Sequence, residues 1–186
     1  MLPRDFYARP AIAVARDCLG KILVHGAAAG RIVEVEAYLG VDDRAAHAWA
    51  GITDRTRVIF GPPGHAYVYF IYGMYECLNF TAETEGQAGS VLIRALEPVA
   101  GLALMRRRRP TAHGIEDLAS GPGKLTLAMS ITRKLNGSDL VKGPLQVRQM
   151  PDEPPFEIKV TPRIGIRHCA DWPLRFVIDG NRFVSR

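Results

Sequence analysis

Along residues 31–38 apolar and polar side chains alternate one by one. Val33, Val35 and Ala37 fall on one face, and Glu34, Glu36 and Tyr38 on the other, the period of a β-strand. Residues 21–25 read as a strand just before it. The run His65-Ala66-Tyr67-Val68-Tyr69-Phe70-Ile71-Tyr72 is rich in aromatic residues and predicts a further strand. Gly73-Met74 is placed to turn it, and Tyr75–Thr81 to return as a hairpin partner. Residues 90–96 predict another strand. In the last third, strands are predicted over 145–149, 156–161 and 163–167, followed by a hairpin of 174–178 with 182–185 around Asp179-Gly180-Asn181. Helical signals are fewer. Pro10–Leu19 has proline in the first turn and Gly20 as its stop. Val99–Arg108 reads as a second helix, and Ser120-Gly-Pro-Gly-Lys124 opens a third whose first turn leaves backbone N–H groups free. Residues 39–65 are loop-rich. Neighbouring strands with few crossover helices predict an α+β fold on an antiparallel sheet.

Composition narrows the classes. At 186 residues and 47% hydrophobic, the chain matches one ordinary domain able to bury a core. No apolar run approaches the roughly 20 residues of a membrane span, and the first residues lack a signal core. A cytoplasmic, nucleoid-associated protein is expected. Cys18, Cys77 and Cys169 are isolated and read as reduced, buried thiols, neither a disulfide framework nor a zinc knuckle. The net charge is +5, and 19 of the 24 basic residues are arginine, whose forked donors bind phosphate bidentately. That balance suits a polyanionic partner. There is no Walker A loop, GxGxxG or GxSxG, and no zinc-deaminase signature. None of the five lysines sits in a motif for an amine nucleophile.

The candidate chemistry lies around the 31–38 strand. A lone Glu36 on a strand is ordinarily a solvated edge carboxylate. Beside a Gly/Pro-rich loop, the same group is placed to activate water. Arg94, inside Val91–Leu96, must be paired to sit in an apolar strand; it is either a structural ion pair or the orienter of a catalytic carboxylate. Tyr38, Tyr67, Tyr69, Tyr72 and Tyr75 are five of the six tyrosines. Tyr67 and Tyr69 share a face, where rings could line a core or sandwich a base. Tyr72, next to the turn, has little core to join and could wedge into a base stack. His47 with Asp42 or Asp43 makes a poor metal set. Arg55 and Arg57 in the loop are candidate phosphate contacts, and Arg106–Arg109 is a basic run at a helix end.

Several ordered blocks resemble the methylpurine (3-methyladenine, alkyladenine) DNA glycosylases: Arg31–Tyr38, Ala46-His47, Tyr67–Tyr75 with Asn79, Leu92–Pro98, Ser120–Leu125 and Pro162–Ile166. The resemblance runs from about residue 5 to 186. It implies a single domain over 1–186: a curved antiparallel sheet flanked by short helices, with a protruding hairpin. It further implies no metal and no cofactor, and a monomer acting on double-stranded DNA that contains damaged purines. Glu36 matches the general base, Arg94 the arginine that holds the attacking water, and the backbone at Arg163-Ile164 a third water contact. Tyr38, His47 and Tyr69 match the pocket for a flipped base, Tyr72 the intercalating wedge, and Asn79 the side chain that disfavours the amine of guanine. Arg55, Arg57 and Lys124 are the expected backbone contacts. The loop from His47 to Arg55 is shorter than the family pattern. A non-catalytic lesion binder or an RNA-binding module of the same fold are the alternative readings.

Overall fold

A computed structural model describes residues 1–185. Two short helices, α1 (Arg4–Tyr7) and α2 (Ala11–Cys18), lead into strands β1 (Ile22–His25) and β2 (Ala28–Tyr38). Helix α3 (Arg57–Phe60) follows the long loop, then β3 (Ala66–Ile71), β4 (Tyr75–Ala82) and β5 (Gly89–Ala100). Helices α4 (Leu102–Arg108) and α5 (Pro122–Met129) precede β6 (Leu145–Arg148), β7 (Ile158–Thr161) and β8 (Arg175–Ile178). The strands form one curled antiparallel sheet in the order β3-β4-β5-β2-β1-β6, with β8 pairing both β2 and β7. The expected α+β architecture is present.

One face of the sheet holds the core. Val35, Ala37, Ile93, Ala95, Val68 and Phe80 pack against Val14, Ala15 and Cys18 of α2 and Leu125, Ala128 and Met129 of α5. The strand β2 is not an edge strand. It is central, with β5 on one side and β1 and β8 on the other, and ten of its eleven residues are buried. Its polar face is therefore enclosed rather than solvated. The β2–β5 ladder slips three times, once at Ala29/Gly30 and twice around Glu34. Val33 has no partner between Ile32↔Leu96 and Glu34↔Ala95, and Arg94 none between Glu34↔Ala95 and Val35↔Ile93. The two bulges compensate, and they sit where β-bulges commonly re-aim side chains.

Other boundaries moved for visible reasons. β5 continues to Ala100 because Ala29 and Gly30 of β2 still pair with it, so α4 begins at Leu102 rather than at Val99. Residues 163–167 are loop, and 182–185 form no strand. β8 finds its partners in β2 and β7 instead. The β3–β4 hairpin forms as expected, but its turn centres one residue early: Tyr72 (φ 55°) and Gly73 (φ 67°) are both left-handed, and Met74 N–H donates to the Ile71 carbonyl. That is the pattern of a type I′ turn. Cys18 and Cys77 are buried, whereas Cys169 is half-exposed; all three are free thiols. No helix is long and apolar enough to cross a membrane.

Candidate active site

Register delivers the site. Residues directly opposite across a sheet share a face, and one such row runs through five strands: Tyr67 faces Asn79, Asn79 faces Leu92, Leu92 faces Glu36, and Glu36 faces Arg175. Tyr69 and Cys77 pair one step along. This face, opposite the core, floors a cavity of about 470 Å³ walled by the 40–48 loop, the hairpin, the start of α5 and the 164–168 loop, a size typical of small-ligand sites. Gly123 lies at the cavity edge, where a Cβ would come within 2.8 Å of the Tyr75 ring; only glycine lets the helix start approach so closely.

Glu36 sits just behind the wall and is fully buried. Arg94 Nη1 lies 3.2 Å from its Oε1, Ile164 N–H donates to Oε1 at 2.8 Å, and the Tyr38 hydroxyl donates to Oε2 at 2.9 Å. Arg94, Tyr38 and Ile164 all face the cavity, so the carboxylate is one residue deep. Burial raises the Glu36 carboxyl above its ordinary range, and the Arg94 charge with the hydrogen bonds from Ile164 and Tyr38 offsets this only in part. Burial likewise keeps the Tyr38 phenol neutral.

The neighbouring Glu34 has the opposite balance. Its burial penalty is outweighed by the Arg94 charge and by donors from Arg175 and Ser185, which hold it below the usual carboxylate range. Two carboxylates two residues apart are thus pushed in opposite directions, the pattern that separates titrating from permanently charged acids in active sites. Glu34 and Glu36 share a strand face but are not equivalent acids.

The ring set assembles largely as expected. His47 packs edge-on against Tyr69 with centroids 4.5 Å apart, and Tyr67 and Tyr69 are 5.4 Å apart. Burial, reinforced by Arg55, pushes His47 down to about 4, so its imidazole is neutral at pH 7. Nδ1 lies 2.9 Å from the Tyr67 hydroxyl, and Arg55 Nη2 is 3.4 Å from Nε2. Asn79 is buried at the cavity, its amide 3.5 Å from the Tyr67 carbonyl. Tyr72 stands at the mouth, 76% exposed and in a left-handed conformation uncommon for a bulky residue; such outliers cluster at functional sites.

Four expected site residues have side-chain partners elsewhere within the protein. The Arg163 side chain does not line the cavity. It lies behind Tyr38, its guanidinium 4.6 Å from the ring centroid, in a fully buried bidentate pair with Asp43. Only the backbone of that pair of residues reaches the site, as the Ile164 N–H, while the Ile164 side chain is 44% exposed at the rim. Arg57 pairs with Asp54 at the surface, Lys124 donates to Asp117, and Arg55 stacks over Tyr69. Sequence reasoning passed over Asp43 as anything but a weak metal ligand, and missed Arg175 and Ser185. For Arg175 the signal existed: an arginine beside Phe-Val-Ile is as anomalous as Arg94. Among the described residues no cluster of His, Cys, Asp and Glu could hold a metal ion.

Comparison with known proteins agrees with the geometry. Residues 5–182 match the family model described as methylpurine-DNA glycosylase (MPG). The chain is 55% identical to a protein of Methanoculleus marisnigri over all of this chain and 98% of that one. It is 53% identical to a Methanocella arvoryzae protein over 94% and 89% of the two chains, and 45% identical to a Legionella pneumophila (strain Corby) protein over 100% and 98%. All three carry the name "Putative 3-methyladenine DNA glycosylase". A match across nearly the whole chain, with a buried glutamate one residue behind an aromatic cavity, places this chain in the methylpurine-DNA glycosylase family, a family of DNA glycosylases.

Proposed function

We propose that the chain removes alkylated or deaminated purines from duplex DNA, 3-methyladenine among them, by hydrolysing the N-glycosidic bond and leaving an abasic site. One observation carries the reading: Glu36, buried, raised in basicity and held by Arg94, Tyr38 and Ile164 one residue behind a ring-lined cavity. In the proposed reaction the C1′–N bond breaks and its electron pair leaves with the purine. A water oxygen bonds C1′ and gives its proton to Glu36. The carboxylate also faces the positive charge that develops on the sugar. Arg94 holds the water with it. The wall rings suit a cationic base such as 3-methyladenine, through cation–π attraction of about 0.5–2 kcal/mol. A neutral His47 adds no repulsion to that cation. Arg55, Arg57 and Lys124 are the proposed phosphate contacts, and Asn79 the residue that disfavours the amine of guanine. The protein acts as a monomer.

The test is a panel of duplexes, each with one lesion, scored for released base. Release from none of them overturns the reading. Because no lysine lies in the row across the sheet, no Schiff base with the sugar should form. Borohydride is expected to trap no covalent complex and no strand should be nicked; efficient trapping would replace the water mechanism with an amine one.

Tyr72 is proposed as the wedge that fills the space left by a flipped nucleotide. With most of its side chain in solvent, it contributes little to packing. Tyr72→Ser should leave the melting temperature within about 2 °C, since surface changes stay near ±0.5 kcal/mol, while weakening specific binding to a lesion duplex at least tenfold. A large drop in melting temperature with unchanged binding would return Tyr72 to a structural role.

A further inference from the structure

The pocket and its base leave one group of residues unused. Glu34 is fully buried and makes no contact with the cavity. Its Oε1 accepts from Arg94 Nε at 2.8 Å, from Arg175 Nε at 2.7 Å and from the Ser185 hydroxyl at 2.9 Å. Its Oε2 accepts from the Ser185 backbone N–H at 2.7 Å. The Ser185 hydroxyl also lies 3.5 Å from Arg94 Nη2, and Arg175 Nη1 donates to Thr161 at 3.0 Å. A buried carboxylate with four donors is satisfied far beyond what pairing Arg94 requires.

The geometry explains why. A guanidinium is planar, with its donors in a fixed fork. Anchoring Nε on Glu34 fixes that plane, and the same plane carries Nη1 to 3.2 Å from Glu36. Arg94 is therefore shared: one carboxylate takes its Nε, the other its Nη1. We infer that Glu34, Arg175 and Ser185 act as a positioning relay that locks Arg94 between the two acids, so that Glu36 receives only part of its charge and keeps the strength of a general base. The inference rests on the reading of Glu36 as the base.

The groups facing Glu36 bear this out. The cations are Arg94 from β5, Arg175 opposite it on β8, and Arg163 behind Tyr38. The other anion is Glu34, and burial keeps Tyr38 and Cys77 neutral. Without the Glu34 charge, Arg94 and Arg175 would act on Glu36 undivided and its proton would be held less tightly. Without the Ser185 hydroxyl, Glu34 loses a donor and draws harder on Arg94, so Glu36 would hold its proton more tightly. The two changes should move the base in opposite directions.

The experiment is single-turnover excision of 7-methylguanine from a duplex, with spontaneous loss subtracted, followed from pH 4.5 to 8.5. The proteins are the wild type, Glu34→Gln, Ser185→Ala, Ser185→Thr and Glu36→Gln, each checked by thermal melting. This lesion is already cationic, so the acid limb of the profile reports the base. The limb should move down by about one pH unit in Glu34→Gln, the size expected for one charge removed a few ångströms away. It should move up in Ser185→Ala and return towards wild type in Ser185→Thr. A role in folding alone would scale the whole profile without moving the limb. Should Glu34→Gln not fold, Ser185→Ala decides. An acid limb unmoved in every variant that folds overturns the relay. If Glu36→Gln keeps the wild-type rate and limb, it is the reading of Glu36 as base that fails, which is a separate result.

Discussion

Replacing Glu36 by glutamine is expected to slow single-turnover excision by about 10²–10⁴, the usual contribution of a general base, while lesion binding survives. The amide preserves shape, and its oxygen can still accept from Ile164 N–H and Arg94, while its NH₂ can donate to the Tyr38 hydroxyl. What it cannot do is take a proton from water. Stability should not suffer. The folded protein holds the Glu36 proton more tightly than the unfolded chain does, because burial raises it. Such a carboxyl stabilises the fold at low pH, and the contribution is lost as pH rises through the folded value. At neutral pH the charged group is thus a stability cost, and Glu36→Gln should melt at or above the wild-type temperature. Excision assays, gel-shift binding and melting on the same preparations check this. A wild-type rate, or a rate loss that tracks unfolding, rules out the assigned role.

The largest loss of stability is expected from Asp43→Ala. Asp43 and Arg163 are both fully shielded, with Arg163 Nη2 2.9 Å from Asp43 Oδ1 and Nη1 also bound to the Ala37 carbonyl. Asp43 further accepts from the Leu39 and Ala45 backbone N–H groups. Removing it leaves a buried guanidinium with no counter-charge, which costs about 3–5 kcal/mol, or a melting decrease of roughly 6–20 °C for a chain of this size. Burial opposes the Asp43 charge, but the Arg163 pair and the two backbone donors prevail and hold its carboxyl below the usual range. The stabilisation is therefore present above the unfolded carboxylate value and disappears as pH falls through the lower folded one. Denaturant midpoints from pH 7 to pH 3 should show the gap between wild type and variant closing. A gap below about 1 kcal/mol at pH 7 would show that the pair is solvated after all. Tyr38 should loosen as well, since its ring rests on Arg163.

What the sequence made legible follows a physical rule. Strands with strict alternation and local partners were readable: β2 from its period of two, and β3 and β4 from a hairpin whose register needs only nearby residues. That Arg94 must be paired was readable, because an arginine in an apolar strand is anomalous on its own. Distant pairing was not readable. Nothing within residues 174–185 says that β8 will pair with the middle of β2 rather than fold back on 182–185. The central position of β2 has the same origin, since its partners β5 and β8 lie far along the chain. The Arg163 misplacement has another: the motif fixed the backbone at Ile164, whereas the side chain one position earlier points behind Tyr38 to an aspartate 120 residues away.

That distant pairing has a kinetic consequence. Glu34 finds Arg175 141 positions along the chain and Ser185 151 positions along it. Contacts of such separation carry a large loop-closure entropy and form slowly. Until the 175–185 stretch is made and docked, β2 has an open edge and Glu34 lacks three of its four hydrogen bonds. The middle of β2 thus waits for its β8 partner until this late stretch of the chain is made. In that interval its unpaired edge at Glu34–Glu36 is open to pairing with another chain. Slow refolding that ends in simultaneous burial of β8 and gain of activity is the behaviour this topology entails.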